Sequence, residues 1–232
     1  MSAADGAQYS GDEAVARIRA DKQHGASWLA REAARALARA SSGAGDADAR
    51  LRDVWALGRA LAQTRPSMAA IANAAAHIWW VGASHAGEAE VRLAALRAEA
   101  LALDARWDSA IAGMTQWARG AVDGTIYTLS RSGSAEGTLT ALARERSSRD
   151  PLRVIVSESR PGGEGVGLAR ALAATGAQVT LAADSACAAL MDGAALVIVG
   201  ADSVRADGSV VNKVGTHTLA LVARAAGKPV YA

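Results

Sequence analysis

Residues 153–182 have the sequence RVIVSESRPGGEGVGLARALAATGAQVTLA, and this stretch decides the fold. RVIVS (153–157) is a short apolar run that indicates a buried strand, and a glycine-rich turn follows it. Apolar residues at helical spacing then predict a helix around 164–175, and QVTLA (178–182) predicts the next strand. A strand, a helix and a strand in this order form a right-handed unit with parallel strands.

The same alternation continues on both sides of this unit. The further strands are TIYTL (125–129), ALVIVG (195–200) and PVYA (229–232), and the further helices end near Glu145 and cover 215–227. Strands and helices that alternate in this way pack as a parallel sheet with helices on its faces. We therefore predict an α/β domain with a parallel sheet over residues 121–232. Because PVYA reaches the last residue, truncation of this domain at its C-terminus is an open alternative.

The first half of the chain has a different pattern. Its apolar residues recur at helical spacing, and no strand-like alternation occurs before Gly120. We therefore predict an N-terminal all-helical domain over residues 1–120. Its helices are expected at 12–40, with a division at Gly25, at 49–63, from Pro66 to about Ile78, and at 88–118, with a turn at WVGASHAG (80–87).

Composition excludes several classes of function. The 25 basic and 23 acidic residues give a formal net charge of +2 without a basic run, so no direct nucleic-acid contact is expected. The single cysteine and the four histidines lack metal-ligand spacing, and the glycine motifs of dinucleotide and P-loop sites do not occur. We therefore expect no metal and no cofactor.

Hydropathy and the start of the chain bear on location. Apolar runs of about 18 residues, which a membrane span needs, do not occur in the sequence. The first residues, MSAADGAQYSGDEA (1–14), lack the charged and apolar segments of a signal peptide. We therefore expect a cytoplasmic protein without a membrane span.

Polar residues follow each predicted strand. Ligands bind beyond the carboxyl ends of the strands in open parallel sheets, so these residues are the candidate site. They are Ser130, Arg131 and Ser132 after the first strand, Glu158 and Arg160 after the second, Asp184 after the third, Asp202 after the fourth, and Asn212, Lys213, Gly215 and Thr216 before the last helix. Arginine pairs bidentately with phosphate, and free amides at a helix start attract anions. The pattern predicts a small phosphorylated ligand. The acids could bind its sugar hydroxyls, or one of them could transfer protons.

Some of these residues also have simpler explanations. Asp184 could cap the helix that follows it, and Arg160 could pair only with Glu158. Cys187 lies in an alanine-rich helical stretch and is expected to be a small buried side chain. Asp202 is harder to explain, because a carboxylate at the mouth of an apolar strand costs free energy unless it is used or paired.

Three segments, in order, resemble a known family, and they are VIVSESRPGGEG, QVTLAADSA and VIVGADSVRADGSVVNKVGTHTLAL. Two helical stretches of the first half, GASWLAREAARAL and TRPSMAAIANAA, resemble the same family more weakly. The chain resembles the initiation factor 2B regulatory subunits alpha, beta and delta, a family that includes methylthioribose-1-phosphate isomerase and ribose-1,5-bisphosphate isomerase. The resemblance implies a helical domain, a Rossmann-like domain, and a homodimer or higher homo-oligomer formed through the C-terminal domains.

The resemblance also implies roles for individual residues. Asp202 matches an aspartate that, with a cysteine, transfers protons in the isomerases. Ser130 stands at the position of that cysteine, and a serine hydroxyl has too high a pKa to replace a thiol readily. The remaining matches surround the ligand phosphate and sugar, and they are Arg131, Glu158, Arg160, Asn212, Lys213 and Thr216.

Three functions remain open from the sequence. The first is a binding protein that holds a sugar phosphate or a nucleotide monophosphate without the isomerase cysteine. The second is an aldose–ketose sugar-phosphate isomerase, of the ribose-1,5-bisphosphate or methylthioribose-1-phosphate type, that uses Asp202. The third is a protein-interaction module, for which the sequence indicates no partner.

Overall fold

The computed structural model describes residues 10–22 and 24–232. These residues form two compact units, a helical unit of Ala26–Trp107 with the residues up to Asp21, and a sheet unit of Lys22–Gly25 with Asp108–Ala232. The expected domain boundary after residue 120 stays a prediction. The expectation that the chain starts without a signal peptide concerns its first 14 residues, and residues 1–9 lie outside the described part of the chain. In the described residues, no helix is long and apolar enough to cross a membrane.

Alanine-rich helices build the helical unit. They are α1 (Gly11–Ala20), α2 (Ala26–Ala40), α3 (Ala47–Ala62), α4 (Ala69–Ser84) and the first part of α5 (Ala89–Ala121). Ser10 begins α1 through a capping box with Glu13. The division of the first predicted helix at Gly25 is confirmed. Leu29, Leu37 and Leu61 are fully buried among small alanines, which let the helices approach closely.

Two predicted boundaries in the helical unit are wrong. The expected turn at 80–87 is helical up to Ser84, because α4 buries Gly82 against α5 and a Cβ there would lie 3.2 Å from Leu96 side-chain atoms. The helix does not begin at Pro66 either. Met68 donates its N–H to the Arg65 carbonyl in a turn, and α4 begins at Ala69. Glycine marks a close helix contact here, and proline marks the turn before the helix.

A parallel sheet forms the centre of the second unit. Its strands β1 (Ile126–Leu129), β2 (Arg153–Ser157), β3 (Gln178–Ala182), β4 (Leu196–Ile198) and β7 (Val230–Tyr231) have the order β3-β2-β1-β4-β7. All four neighbouring pairs are parallel. The predicted α/β class, with helices followed by a Rossmann-like sheet, is confirmed, and β2 and β3 have the predicted bounds.

Helices cover both faces of this sheet. They are α6 (Gly133–Glu145), α7 (Glu164–Ala173), α8 (Cys187–Leu190) and α9 (Thr216–Ala225). Ile126 and Val154 pack with α6 and α7 on one face, while Tyr127 and Ile155 pack with α8 and α9 on the other. Cys187 is buried in the second cluster, as expected for a small apolar side chain. The two buried faces explain why the sequences of the central strands β1, β2 and β4 are apolar at nearly every position.

A short hairpin was not predicted from the sequence. Its strands β5 (Ser203–Val204) and β6 (Val210–Val211) pair antiparallel between β4 and α9. Its turn is held by the Arg205 N–H to the Ser209 carbonyl, and by the Ser209 N–H to the Asp207 carboxylate. Strands of two residues are too short to show a period in sequence. The hairpin matters because it returns the chain to Asp202, whose N–H donates to the Val211 carbonyl.

Candidate functional site

Two serines at the ends of adjacent strands have an unusual backbone. Ser130, after β1, has φ of 64°, and Ser159, after β2, has φ of 65°. A non-glycine residue in this left-handed region costs about 1–3 kcal/mol, so surrounding contacts must hold it. Such residues concentrate at functional sites. The structure therefore places strained backbone at the predicted edge of the sheet.

Hydrogen bonds from three strand ends hold these serines. The Ser159 hydroxyl accepts from the Ser130 N–H at 2.6 Å and donates to the Ser157 carbonyl at 3.0 Å. The Asp184 carboxylate accepts from the Ser159 N–H at 2.8 Å and from the Arg160 N–H at 2.7 Å. Asp184 therefore fixes the β2–α7 turn, and the alternative that it only caps the following helix is wrong.

A cavity of about 250 Å³ opens at this edge of the sheet. Its walls come from the ends of β1 and β2, the turn after β3 and the start of α9, and the lining residues are Leu129, Ser157, Asp184, Ser185, Cys187, Val214, Gly215, Thr218 and Leu219. Gly215 is the N-cap of α9 with φ of 99°, no side chain caps this helix start, and no acid lies in its first turn. A helix start of this kind attracts anions through its free N–H groups and its dipole.

The turn before α9 forms a second group of predicted residues. The Asn212 amide donates to the Thr216 hydroxyl at 3.0 Å, and that hydroxyl donates to the Lys213 carbonyl at 2.7 Å. The Lys213 ammonium donates to the Glu164 carboxylate at 2.5 Å. The other Glu164 oxygen is buried without a partner in the described residues. Lys213 thus joins the start of α9 to the start of α7.

Asp202 lies half-buried between β4 and the hairpin. Burial raises the pKa of its carboxyl group above the ordinary value, and the positive charge of Lys213 opposes this shift. A carboxyl group whose pKa is raised can both accept and release a proton nearer to neutral pH. The arrangement can therefore support proton transfer at this position.

The raised pKa of Asp202 has a measurable consequence for stability. Its charged form is less favourable in the folded than in the unfolded chain, so this cost is present above the folded pKa and disappears below the ordinary value of 3.8. We expect Asp202→Asn to raise the melting temperature near neutral pH and to have no such effect below the ordinary value. Thermal melts across this pH range test this. The matched control Asp192→Asn, at an exposed position, should show no pH-dependent gain.

The arginines of the candidate site lie in different settings. Arg131 makes two hydrogen bonds to Glu136, at 2.7 and 3.0 Å, so a ligand phosphate would compete with this carboxylate. Arg160 is exposed and makes no ion pair with the residues described, so the alternative that it pairs with Glu158 is wrong. Arg160 therefore has its guanidinium group open to an anion.

Ser132 and Gly200 meet at the ends of β1 and β4. The Ser132 hydroxyl accepts from the Ala135 N–H at 3.4 Å and begins α6. A Cβ at Gly200 would lie 2.5 Å from the Ser132 hydroxyl oxygen and 3.6 Å from the Asn212 amide oxygen. Gly200 therefore brings the β1 end beside the turn that holds Asn212. Within the described residues, no His, Cys, Asp and Glu side chains group to hold a metal ion.

Several residues of the site were missed in the sequence. Ser157 and Thr218 belong to the cavity wall, and Glu164 and Glu136 neutralise two of the predicted cations. Their signal was present, because each lies within a few residues of a strand end or a helix start.

Comparison with known proteins places the chain in a family. The model of the initiation factor 2 subunit family matches residues 22–232. The chain belongs to this family. Among curated relatives of this family member, the ribose 1,5-bisphosphate isomerases of Haloferax volcanii and Haloterrigena turkmenica are both 34% identical, over 89% and 92% of the chain. The chain spans 64% and 65% of their lengths.

Solved structures of the initiation factor 2 subunit family have the same fold. The translation initiation factor eIF-2B of Pyrococcus horikoshii OT3 has a TM-score of 0.83 at 29% identity, over 95% of this chain and 76% of that one. The 5-methylthioribose 1-phosphate isomerase of the same organism has a TM-score of 0.77 at 25% identity, over 95% and 65%. The similarity covers both units of this family member.

Proposed function

We propose that this member of the initiation factor 2 subunit family binds a sugar phosphate or a nucleotide monophosphate in the cavity at the carboxyl ends of β1, β2 and β3. The uncapped start of α9 in the cavity wall is the observation that carries this proposal. It offers free backbone N–H groups to a phosphate at the position where ligands of parallel sheets bind. The names of the relatives, which are sugar-phosphate isomerases, support the same class of ligand.

The proposal gives each predicted residue a part. Gly215 and Thr216 begin the helix at the cavity, and since the Thr216 N–H already donates to the Lys213 carbonyl, the other amides of this first turn take the phosphate. Lys213 and the open guanidinium of Arg160 add positive charge. Asp184 holds the β2–α7 turn that shapes the cavity. The further contacts to phosphate and sugar are assigned to Arg131, Ser132, Glu158 and Asn212. From the family resemblance we further propose a cytoplasmic homodimer, or higher homo-oligomer, formed through the sheet domains.

Calorimetry tests this binding proposal. We expect heat on titration with ribose 1,5-bisphosphate, methylthioribose 1-phosphate or AMP, and a loss of about tenfold or more in affinity in Lys213→Met, because a charged hydrogen bond contributes about 1.5–3 kcal/mol. Lys228→Met is the matched control, since Lys228 contacts the Asp192 carbonyl and none of the site residues. If none of the three ligands binds the wild-type protein, the proposal is wrong.

A second candidate is an aldose–ketose isomerase that uses Asp202. The specific observation is the half-buried carboxyl group whose pKa burial raises. Such a group could move protons as the sugar ring opens, with the hydrogen on C2 passing to C1 and the proton of the C2 hydroxyl passing to the ring oxygen. Ser130, at the family's cysteine position, already has its N–H bonded to Ser159, and its hydroxyl is a poor replacement for a thiol.

Turnover distinguishes the two candidates. An isomerase should convert ribose 1,5-bisphosphate or methylthioribose 1-phosphate, and Asp202→Asn should lower kcat by about 10²-fold or more while the substrate still binds. A binding protein should hold the ligand in calorimetry and leave its aldose form unchanged. Turnover that Asp202→Asn leaves intact would exclude Asp202 as the catalytic group.

A further inference from the structure

The helical unit has a cavity of its own, of about 250 Å³. Its lining residues all belong to α2, to α5 or to the turn after α2, and they are Arg35, Ala38, Arg39, Ser42, Arg97 and Leu101. Three of the six are arginines. Three guanidinium groups around one small cavity repel one another unless negative charge lies among them.

Two of these arginines have no acidic partner in the part of the chain that the structure describes. The Nε atom of Arg39 is buried and makes no hydrogen bond. Arg97 is exposed and makes no ion pair with any described residue. On the helix surface, an acid three or four positions away would neutralise each of them. At those positions Arg39 has Arg35, Ala36, Ser42 and Gly43, and Arg97 has Leu93, Ala94, Ala100 and Leu101.

The acids near the cavity are already engaged. Asp104 accepts from Arg31 at 2.5 Å and from Arg35 at 3.3 Å, and Glu32 accepts from Arg35 at 2.9 Å. Two carboxylates thus compensate the charges of Arg31 and Arg35. The charges of Arg39 and Arg97 remain uncompensated, and Arg35 and Arg39 are like charges one helical turn apart, an arrangement that destabilises an isolated helix.

We propose that Arg39 and Arg97, with Arg35 at the edge, bind the phosphate group of a small molecule in this cavity. A phosphate oxyanion supplies the missing negative charge, and arginine matches it with paired N–H donors. The cavity is smaller than the usual range of about 300–1,000 Å³ for complete small-molecule sites, so it takes a phosphate-sized group and leaves the rest of the ligand outside. The site is separate from the cavity at the sheet and does not depend on the function proposed there.

Equilibrium dialysis with radiolabelled inorganic phosphate tests this site. The double variant R39M/R97M, which keeps most of the aliphatic stems, should lose one bound phosphate per chain relative to the wild type. Each single variant should weaken that binding by about tenfold or more. Arg59→Met, at an exposed position of α3, is the matched control and should bind like the wild type. If R39M does not fold, R97M at its exposed position gives the same measurement.

Other results would overturn the proposal. Equal numbers of bound phosphates in R39M/R97M and in the wild type would exclude these arginines, as would the absence of phosphate binding by the wild type. Acetate that competes as well as phosphate would show a general anion surface instead of a phosphate site. Lys213→Met should leave this site unchanged, so a failure at the sheet cavity and a failure here are distinguishable.

Discussion

Gly165→Ala is expected to remove most of the stability of the sheet unit. A Cβ at this position would lie 1.8 Å from the Ser157 carbonyl oxygen and 3.0 Å from the carbonyl carbon of Glu158. Both are backbone atoms, so rotation of a side chain cannot relieve the clash. α7 would have to move away from β2, which also breaks the bond from the Gly165 N–H to the Glu158 carbonyl at 3.1 Å. We expect a loss of more than about 4 kcal/mol in the free energy of unfolding.

Thermal and urea unfolding measure this loss. For a chain of this size, it corresponds to a fall of about 10 °C or more in the melting temperature. Gly113→Ala is the matched control, because Gly113 lies in α5 with open space around it. Alanine there should stabilise the helix by about 0.5–1 kcal/mol. A Gly165→Ala protein that melts together with the wild type would contradict the close packing of the β2–α7 turn.

Asp184→Asn is expected to weaken both the fold and the ligand site. Each Asp184 oxygen accepts one backbone N–H, from Ser159 and from Arg160. Asparagine offers a single oxygen, and its NH₂ group would face the N–H that has lost its acceptor. Hydrogen bonds to a charged group contribute about 1.5–3 kcal/mol, so we expect a destabilisation of about 2 kcal/mol. The strained Ser159 would then be held less firmly, and the cavity would lose its shape.

Calorimetric binding and thermal unfolding of the same variant separate the two effects. We expect the melting temperature to fall by about 4–8 °C and the affinity for the bound phosphate ester to fall by about tenfold or more. Asp192→Asn is the matched control, since Asp192 is exposed and Lys228 donates to its backbone carbonyl, which the substitution keeps. Unchanged unfolding and binding in Asp184→Asn would mean that the turn does not need the carboxylate.

The central strands of the sheet were predictable because both of their faces are buried, whereas β3 lies at the sheet edge with most of its residues exposed and was recognised by its β-prone residues and its turns. RVIVS and QVTLA are bounded by polar and glycine-rich turns, and β2 and β3 have the predicted bounds. The helical unit was less predictable in detail. Gly82 and Pro66 are usual signs of helix breaks, yet Gly82 lies inside α4 where Leu96 approaches closely. A prediction from local sequence fails when a tertiary contact at the same residue contributes more to stability than the local preference does.

The position of the candidate site in the fold was predictable from the sequence, but the contacts between its residues were only partly predictable. Strand ends of a parallel sheet lie at one edge, so the residues after β1, β2 and β3 could be expected together. Their strained backbone could not be expected, because the residues around Ser130 and Ser159 have no sequence pattern that indicates a positive φ. The hairpin that places Asp202 beside Val211 could not be predicted from the sequence either.

Residues 153–182 and their neighbours determined a parallel sheet with polar residues at one edge, where we propose that a phosphorylated ligand binds. Periodicity and turn residues indicate which side chains point to this edge of the sheet. The folded chain sets which partners they meet there, since Lys213 contacts Glu164 over 49 positions and Asp184 binds the turn after β2 over 25 positions. The reason is that contacting residues are far apart along the chain. Periodicity reports the direction of a side chain locally, whereas its partner depends on how distant segments approach in the folded chain.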